Sequence, residues 1–292
     1  NLTMEGIRQG AEGMLLCDWG DHGSYTPPAF SLAAFAVAAE VSWSGKKIAL
    51  EEQLGPVSRL LGEPALQPLH LLLPRIHRLP AFWSKNRSQC AIALFDEPLT
   101  GRMLTNAEPP ADLEALKPLP ENVAGILDPE SHHLMRPLFG ISEESIEKLQ
   151  TIAHEARALV AGLQDDLLCS QYRWLCDALS LVCDKLRLGR SIRAGMLSAS
   201  ADCDQFLDWE NALRLLISRF TQLQLDFIGW WMRVAKTSEI MIPLSYFAHI
   251  IERLDYLKGW LGAQRKAMET NHEVDWPMAT YQTAGYKSLP TY

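Results

Sequence analysis

A short apolar run near the start of the chain, Met14-Leu15-Leu16-Cys17, restricts most strongly what this sequence can fold into. Turn-forming residues bound the run, because Gly13 precedes it and a polar, glycine-rich segment, Asp18 to Gly23, follows it. A continuous apolar run of this length is typical of a strand that is buried on both faces of a parallel sheet. The sequence therefore predicts a buried strand that ends in a polar loop.

Helices are predicted on both sides of this strand. A helix end precedes Gly13, and an alanine-rich helix is predicted from Ser31, as its N-cap, to Trp43, with Gly45 closing it. Residues 1–45 thus predict one α/β unit. A parallel strand needs neighbouring strands, yet no second convincing strand follows in the sequence. We therefore expect a unit whose sheet this sequence does not contain.

The remainder of the chain is predicted to be helical, so the expected fold class is mainly α. A helix over 46–61 is expected to be interrupted at Gly55-Pro56, and the prolines of 96–140 indicate a long connection. Apolar residues recur at helical spacing from Ser142, and a helix over 165–188 is expected to end at Gly189. Two more helices are expected, over 206–234 and from Pro243 to Leu261. The expected domains are 1–45 (the α/β unit), 46–140 (helical segments and connection), 141–269 (helical bundle) and 270–292 (aromatic polar tail).

Charge and cysteine content exclude several classes of protein. The 35 acidic residues outnumber the 27 basic ones, which gives a net charge of −8 and argues against nucleic-acid binding. No apolar run is long enough to span a bilayer, so we expect no membrane partner. The six cysteines form no CxxC pair, and free thiols predict a cytoplasmic protein. Three of these cysteines are spaced by seven and are expected to lie in a buried helix seam: Cys169, Cys176 and Cys183.

The loop after the predicted strand is the strongest candidate for a functional site. It lies where α/β barrels place their active sites, at the carboxyl end of a strand. The indole of Trp19 can stack on the apolar face of a sugar ring, and the carboxylate of Asp21 can accept hydrogen bonds from sugar hydroxyls. Two other interpretations remain open. Trp19 could plug a barrel end while an Asp caps the next helix, or Asp18, Asp21 and His22 could bind a metal, although no distant partner ligands are evident.

The segment Gly13 to Gly23, followed by the alanine-rich helix that ends Val41-Ser42-Trp43, resembles the last strand and helix of the barrel in family 20 glycoside hydrolases. The closest likeness is to bacterial β-N-acetylhexosaminidases with a helical C-terminal domain. In that family the last strand ends in Trp, one residue and an acid. The resemblance implies that Trp19 and Asp21 line the sugar pocket, with Asp18 and His22 as further candidates. Many relatives have Glu where this chain has Asp21, which has a shorter reach.

The resemblance also implies that residues 1–45 are the last unit of an incomplete (β/α)8 barrel. The family's catalytic Asp-Glu pair would then lie upstream of this sequence, and the fragment alone would be inactive. The implied reaction removes terminal N-acetylhexosamine from glycans with retention, because the substrate's own acetamido oxygen attacks the anomeric carbon. Asp96-Glu97 is expected to be a solvated turn rather than this pair. No cofactor, metal or nucleic acid is expected, and dimerisation through the helical domain stays open.

A second hypothesis is a non-catalytic, all-helical interaction or oligomerisation module. No phosphate-binding loop or dinucleotide fingerprint is present. The histidines give no metal-ligand spacing: His70 and His77 are expected at the surface, and His154 and His249 in the partial core. Four tryptophans at helical spacing are expected to form core or a partner surface: Trp209, Trp230, Trp231 and Trp260.

Overall fold

The structure is a computed structural model, and it describes residues 2–17, 25–46, 49–79, 82–84, 87–88, 90–95, 141–198 and 200–274. The described chain is mainly α-helical, as the sequence predicts. Its helices are α1 (Leu2–Arg8), α2 (Leu32–Ser44), α3 (Leu50–Leu60), α4 (Leu66–Leu72), α5 (Cys90–Phe95), α6 (Glu143–Val160), α7 (Asp166–Ser198), α8 (Cys203–Val234) and α9 (Met241–Glu269). Three 3-10 segments accompany them: Pro28–Ser31, Leu73–Arg78 and Thr237–Glu239.

The only strands in the described ranges are β1 (Trp83–Ser84) and β2 (Arg87–Ser88). They pair antiparallel, with Trp83 opposite Ser88 and Ser84 opposite Arg87. The predicted buried strand over Met14 to Cys17 is therefore wrong for this chain, since these residues form no regular secondary structure and are exposed. A strand needs the N–H and C=O groups of a neighbour, and no described residue supplies them.

The chain forms two compact units. The first combines Asn1–Ile76, Ile152–Asp177 and Leu225–Pro243. Within it, an aromatic cluster has ring centroids between 4.7 Å and 6.1 Å apart, which joins the start of α7 to the end of α8. The members of the cluster are Trp174, Phe227, Trp230 and Trp231. All four are buried, which confirms core positions for Trp230 and Trp231.

The second unit combines His77–Thr151, Ala178–Gln224 and Leu244–Tyr292. Its core includes apolar side chains that α6, α7, α8 and α9 contribute at helical spacing. A buried amine, Lys185, lies in this core: its Nζ donates to the carbonyl of Leu94 at 2.8 Å and lies 5.8 Å from the ring centre of Phe220. The carbonyl belongs to the last turn of α5, so the lysine satisfies an acceptor that the short helix leaves open.

The predicted interruption at Gly55-Pro56 and the predicted helix end at Gly189 are both wrong. α3 runs through Pro56, and α7 continues through Gly189 to Ser198. At Gly189, glycine costs the helix about 1 kcal/mol relative to alanine. The burial of apolar side chains before and after Gly189 stabilises the helix by more than this. In α7 those side chains are Leu186 and Ile192.

Some of the predicted helix ends are correct and others are wrong. Gly45 closes α2 in the left-handed region (φ 64°), and Ser142 Oγ accepts from the Ser145 amide at 3.2 Å in the first turn of α6. Ser31, however, makes no capping bond, because a 3-10 turn that begins at Pro28 precedes α2. The last helix, α9, also continues beyond Leu261, to Glu269.

Candidate functional site

The four predicted ligand residues, Asp18, Trp19, Asp21 and His22, lie outside the described residues. The segments on both sides of these residues are described, up to Cys17 and again from Tyr25. The Asp96-Glu97 pair, which is predicted to be a solvated turn, also lies outside the described residues.

The segment after the loop is anchored through the backbone of Ala29. Ala29 lies in the Pro28–Ser31 turn and is only 3% exposed. Its N–H donates to Gln171 Oε1 at 3.1 Å, and its carbonyl accepts from the Tyr172 hydroxyl at 2.9 Å. The ring of Phe30 lies 5.3 Å from that of Tyr172. Two neighbouring residues of α7 therefore satisfy both backbone groups of one buried residue.

His70 of α4 completes this arrangement. Its Nε2 lies 2.7 Å from the Tyr172 hydroxyl oxygen, whose single proton is donated to Ala29. His70 is therefore the donor of the second hydrogen bond, from Nε2–H. Burial lowers the pKa of His70 to about 4, and burial also raises the pKa of the Tyr172 hydroxyl.

The predicted surface position of His70 is wrong, since this side chain is 8% exposed. The missed signal is its spacing from Leu66 and Leu69, both of which are buried on α4. A polar residue on the apolar stripe of a helix needs a buried partner, and sequence alone does not identify Tyr172 as that partner. His154, predicted in the partial core, is exposed on α6, and His249 is half-buried on α9.

The segment before the loop borders an open groove of about 420 Å³. Gly6 and Ile7 of α1, the run Met14 to Leu16, and Ala38 and Ser42 of α2 line it. Leu15 is 86% exposed, and Met14 and Leu16 are each two-fifths exposed. The side chains of Thr3 and Glu12 also line the groove, so its surface is mixed, with more apolar than polar area.

Helix α2 carries further exposed apolar side chains. Its sequence, Leu-Ala-Ala-Phe-Ala-Val-Ala-Ala-Glu-Val-Ser-Trp-Ser, carries a single charge, and Val41 is its only buried residue. Trp43 is 93% exposed and Phe35 is 41% exposed. Helices that are apolar all round are normally buried, so this helix is unusual on a surface. We call the exposed side chains of Ile7, Met14, Leu15, Leu16, Phe35 and Trp43 the N-terminal apolar face.

The cysteines divide into buried and accessible thiols. Cys176 and Cys183 are buried on α7, which confirms the predicted seam for these two, whereas Cys169 is half-buried. Burial raises the pKa of both the Cys176 and Cys183 thiols to about 12, so neither is a nucleophile at neutral pH. Cys17, predicted to be buried in a strand, is exposed.

Across the described ranges, no group of three or more His, Cys, Asp or Glu side chains has the arrangement of a metal site. None of the helices described combines the length and the apolar character that crossing a bilayer requires. Models of known protein families, curated proteins and solved structures were compared with this chain, and none of them matches it.

Proposed function

We propose that this chain is the C-terminal part of a glycoside hydrolase of the β-N-acetylhexosaminidase type. Residues 1–45 would supply the last unit of its (β/α)8 barrel, and the helical remainder would be an accessory domain. The proposed substrates are glycans with a terminal N-acetylhexosamine, hydrolysed with the help of the substrate's own acetamido group. A cytoplasmic location and a cofactor-free reaction belong to the same proposal.

The N-terminal apolar face is the observation that carries this proposal. A barrel unit buries its strand between neighbouring strands and packs its helix against the outside of the sheet. Outside that barrel, the strand run and the helix would expose apolar surface, as Leu15 and Trp43 do here. Without strands on either side, the run Met14 to Cys17 would also lack a ladder, as observed among the described residues.

Within the proposed pocket, Trp19 would stack on the sugar ring, and Asp21 would accept hydrogen bonds from sugar hydroxyls. Asp18 and His22 would lie beside them in the same loop. The acid that protonates the leaving group and the acid that orients the acetamido group would come from the upstream barrel. We therefore expect no turnover by the 292-residue chain alone.

The proposal is tested on the longer polypeptide, which would carry the upstream barrel in front of residues 1–292. The assay is the hydrolysis of a chromogenic N-acetyl-β-glucosaminide. The longer polypeptide should turn over this substrate, and Trp19→Ala should lower kcat/KM roughly tenfold or more, equivalent to about 1.4 kcal/mol of transition-state binding. Asp21→Asn should lower it as well, because the amide loses the charge that strengthens the sugar contacts. Tyr256→Ala, an aromatic truncation at an exposed position of α9, is the matched control and should leave kcat/KM unchanged.

The second candidate is a non-catalytic helical interaction module, and the same apolar face favours it, because exposed apolar patches mark protein-binding surfaces. The two proposals differ in what the assay finds. If the gene encodes no upstream barrel, or if the longer polypeptide does not cleave the substrate, the hydrolase proposal is wrong and the module is favoured. An unchanged kcat/KM in Trp19→Ala would instead remove only Trp19 from the pocket.

A further inference from the structure

We propose that the N-terminal apolar face binds a second copy of this chain, with the α2 helices of the two copies packed antiparallel about a two-fold axis at Ala39. The inference goes beyond the proposed function, because it concerns the 292-residue chain on its own, outside any barrel. The second copy covers the surface that the barrel would cover in the longer polypeptide.

One row of side chains on α2 has the spacing that this packing requires. Phe35, Ala39 and Trp43 are spaced by four, so they lie on one side of the helix, and all three are exposed. Ala39 is the midpoint of the row, and each aromatic residue lies roughly 6 Å from it along the helix axis. Around a two-fold axis at Ala39, Phe35 of each copy therefore faces Trp43 of the other, which makes the row complementary to itself.

The small side chain at the midpoint allows the two helices to approach each other closely. The axes of packed helices lie about 8 to 10 Å apart, and the side chains at the crossing point set the distance. Alanine at this point keeps the distance short, so the indole of one copy reaches the phenyl ring of the other. Glu40 carries the only charge of α2, so the contact removes little charge from water.

The run Met14 to Leu16 borders the row on α2. It lines the groove together with Ala38 and Ser42, which directly precede Ala39 and Trp43. The six side chains of the N-terminal apolar face together expose roughly 500 to 850 Å², since a large apolar side chain presents about 150 to 250 Å² when fully exposed. A standard interface buries about 800 Å² on each partner, so the exposed area is of the size that a stable dimer needs.

Analytical ultracentrifugation of the 292-residue chain tests the dimer. The monomer mass is 32.8 kDa, and it should double with a dissociation constant in the micromolar range or below. Trp43→Ala should raise the dissociation constant at least about tenfold, because buried aromatic anchors dominate interfaces. Trp43 is almost fully exposed in the single chain, so this variant should fold normally.

Leu215→Ala truncates an exposed apolar side chain on α8 and is the matched control. It should leave the dissociation constant unchanged. A wild-type chain that stays monomeric at roughly 100 µM overturns the inference, and so does an equal loss of affinity in Trp43→Ala and Leu215→Ala.

Cross-linking distinguishes two-fold packing from non-specific association of apolar surfaces. In a Cys17→Ser background, Ala39→Cys should form a disulfide between two copies on air oxidation, because the introduced thiols meet at the axis. Ala34→Cys introduces a thiol at an exposed position on another side of the same helix, and it should stay uncross-linked. Equal cross-linking of the two variants, or none in Ala39→Cys, overturns the inference.

These results are independent of the hydrolase assay. A monomeric 292-residue chain overturns the dimer and leaves hydrolysis by the longer polypeptide untouched. The longer polypeptide with Ala39→Cys should not cross-link, because the barrel would cover the row on α2. Cross-linking there supports the dimer and contradicts the barrel proposal, so the two failures are distinguishable.

Discussion

The carboxylate of Glu63 accepts the backbone N–H of Gln164 at 2.9 Å, although the two residues are 101 positions apart. It also accepts the N–H of Asp165, the residue whose own side chain caps Leu168 at 2.7 Å. Glu63 follows Gly62, which turns the chain at the end of α3 with φ 68°. The turn that follows α3 thus places a carboxylate beside the N–H groups directly before α7, which have no acceptor within the helix.

Removal of the Glu63 carboxylate should destabilise the first unit. The side chain is 2% exposed, and Glu63→Ala removes the acceptor of two part-buried N–H groups, so it should lower the free energy of unfolding by about 1 to 3 kcal/mol. Glu63→Gln keeps one carbonyl acceptor and should cost about half as much. Urea unfolding measures both changes. Glu144→Ala, which breaks an exposed ion pair with Lys148, should leave the midpoint unchanged.

The neutral, buried His70 predicts a loss of stability in mild acid. Burial lowers the pKa of His70 to about 4, whereas the unfolded chain binds this proton near pH 6.5. Between these values the unfolded state binds more protons than the folded state. The contribution of His70 to stability is therefore complete above about pH 6.5 and falls as the pH falls toward 4. The expected loss at pH 4.5 is about 2 to 3 kcal/mol relative to pH 7.

Urea unfolding at the two pH values measures this loss against a matched pair of variants. His70→Gln keeps an N–H donor for Tyr172 but does not titrate, so the pH dependence should shrink by that amount. His154→Gln, on the exposed face of α6, should retain the wild-type dependence. An equal pH dependence in His70→Gln and the wild type would contradict the assignment.

Two helical glycines should respond to alanine in opposite directions. A Cβ on Gly195 would lie 2.5 Å from Cη2 of Trp209, whose Nε1 is fixed by donation to Ser191 Oγ at 3.0 Å. Gly195→Ala should therefore lower the free energy of unfolding by about 1 to 3 kcal/mol. A Cβ on the exposed Gly259 of α9 meets nothing within 4 Å, so Gly259→Ala should stabilise by roughly 0.5 to 1 kcal/mol. Thermal denaturation of both variants checks the signs.

Thiol labelling distinguishes the cysteines and tests what covers Cys17. In the native 292-residue chain a maleimide should modify Cys17 quickly, while Cys176 and Cys183 stay unmodified until the protein unfolds. Peptide mapping by mass spectrometry identifies each site, and Cys17→Ser should remove the fast reaction. In the longer polypeptide Cys17 should become protected, because barrel strands would cover the run Met14 to Cys17. Fast labelling of Cys17 there would contradict the barrel proposal.

Local pattern predicted the helices better than their ends. The periodic apolar stripe after Ser142 and the left-handed Gly45 both agree with the structure, because spacing and backbone freedom are properties of the local sequence. The predicted helix end at Gly189 is wrong, because the burial of Leu186 and Ile192 stabilises the helix by more than the small cost of a helical glycine. The sugar-binding roles of Trp19 and Asp21 stay a prediction, because both lie outside the described residues, whereas the contact of Ala29 with Tyr172 has no signal in the local sequence.

The sequence by itself determined a mainly helical chain, the acidic charge and the apolar run at Met14, since each depends on composition and short-range spacing. Only the tertiary structure decided that His70 is buried against Tyr172, that Glu63 caps α7, and that Leu15 is exposed. Burial depends on which distant segments meet, and residues 102 positions apart in sequence leave no local signal of their contact. The same apolar run that predicts a strand can form one only where neighbouring strands satisfy its backbone.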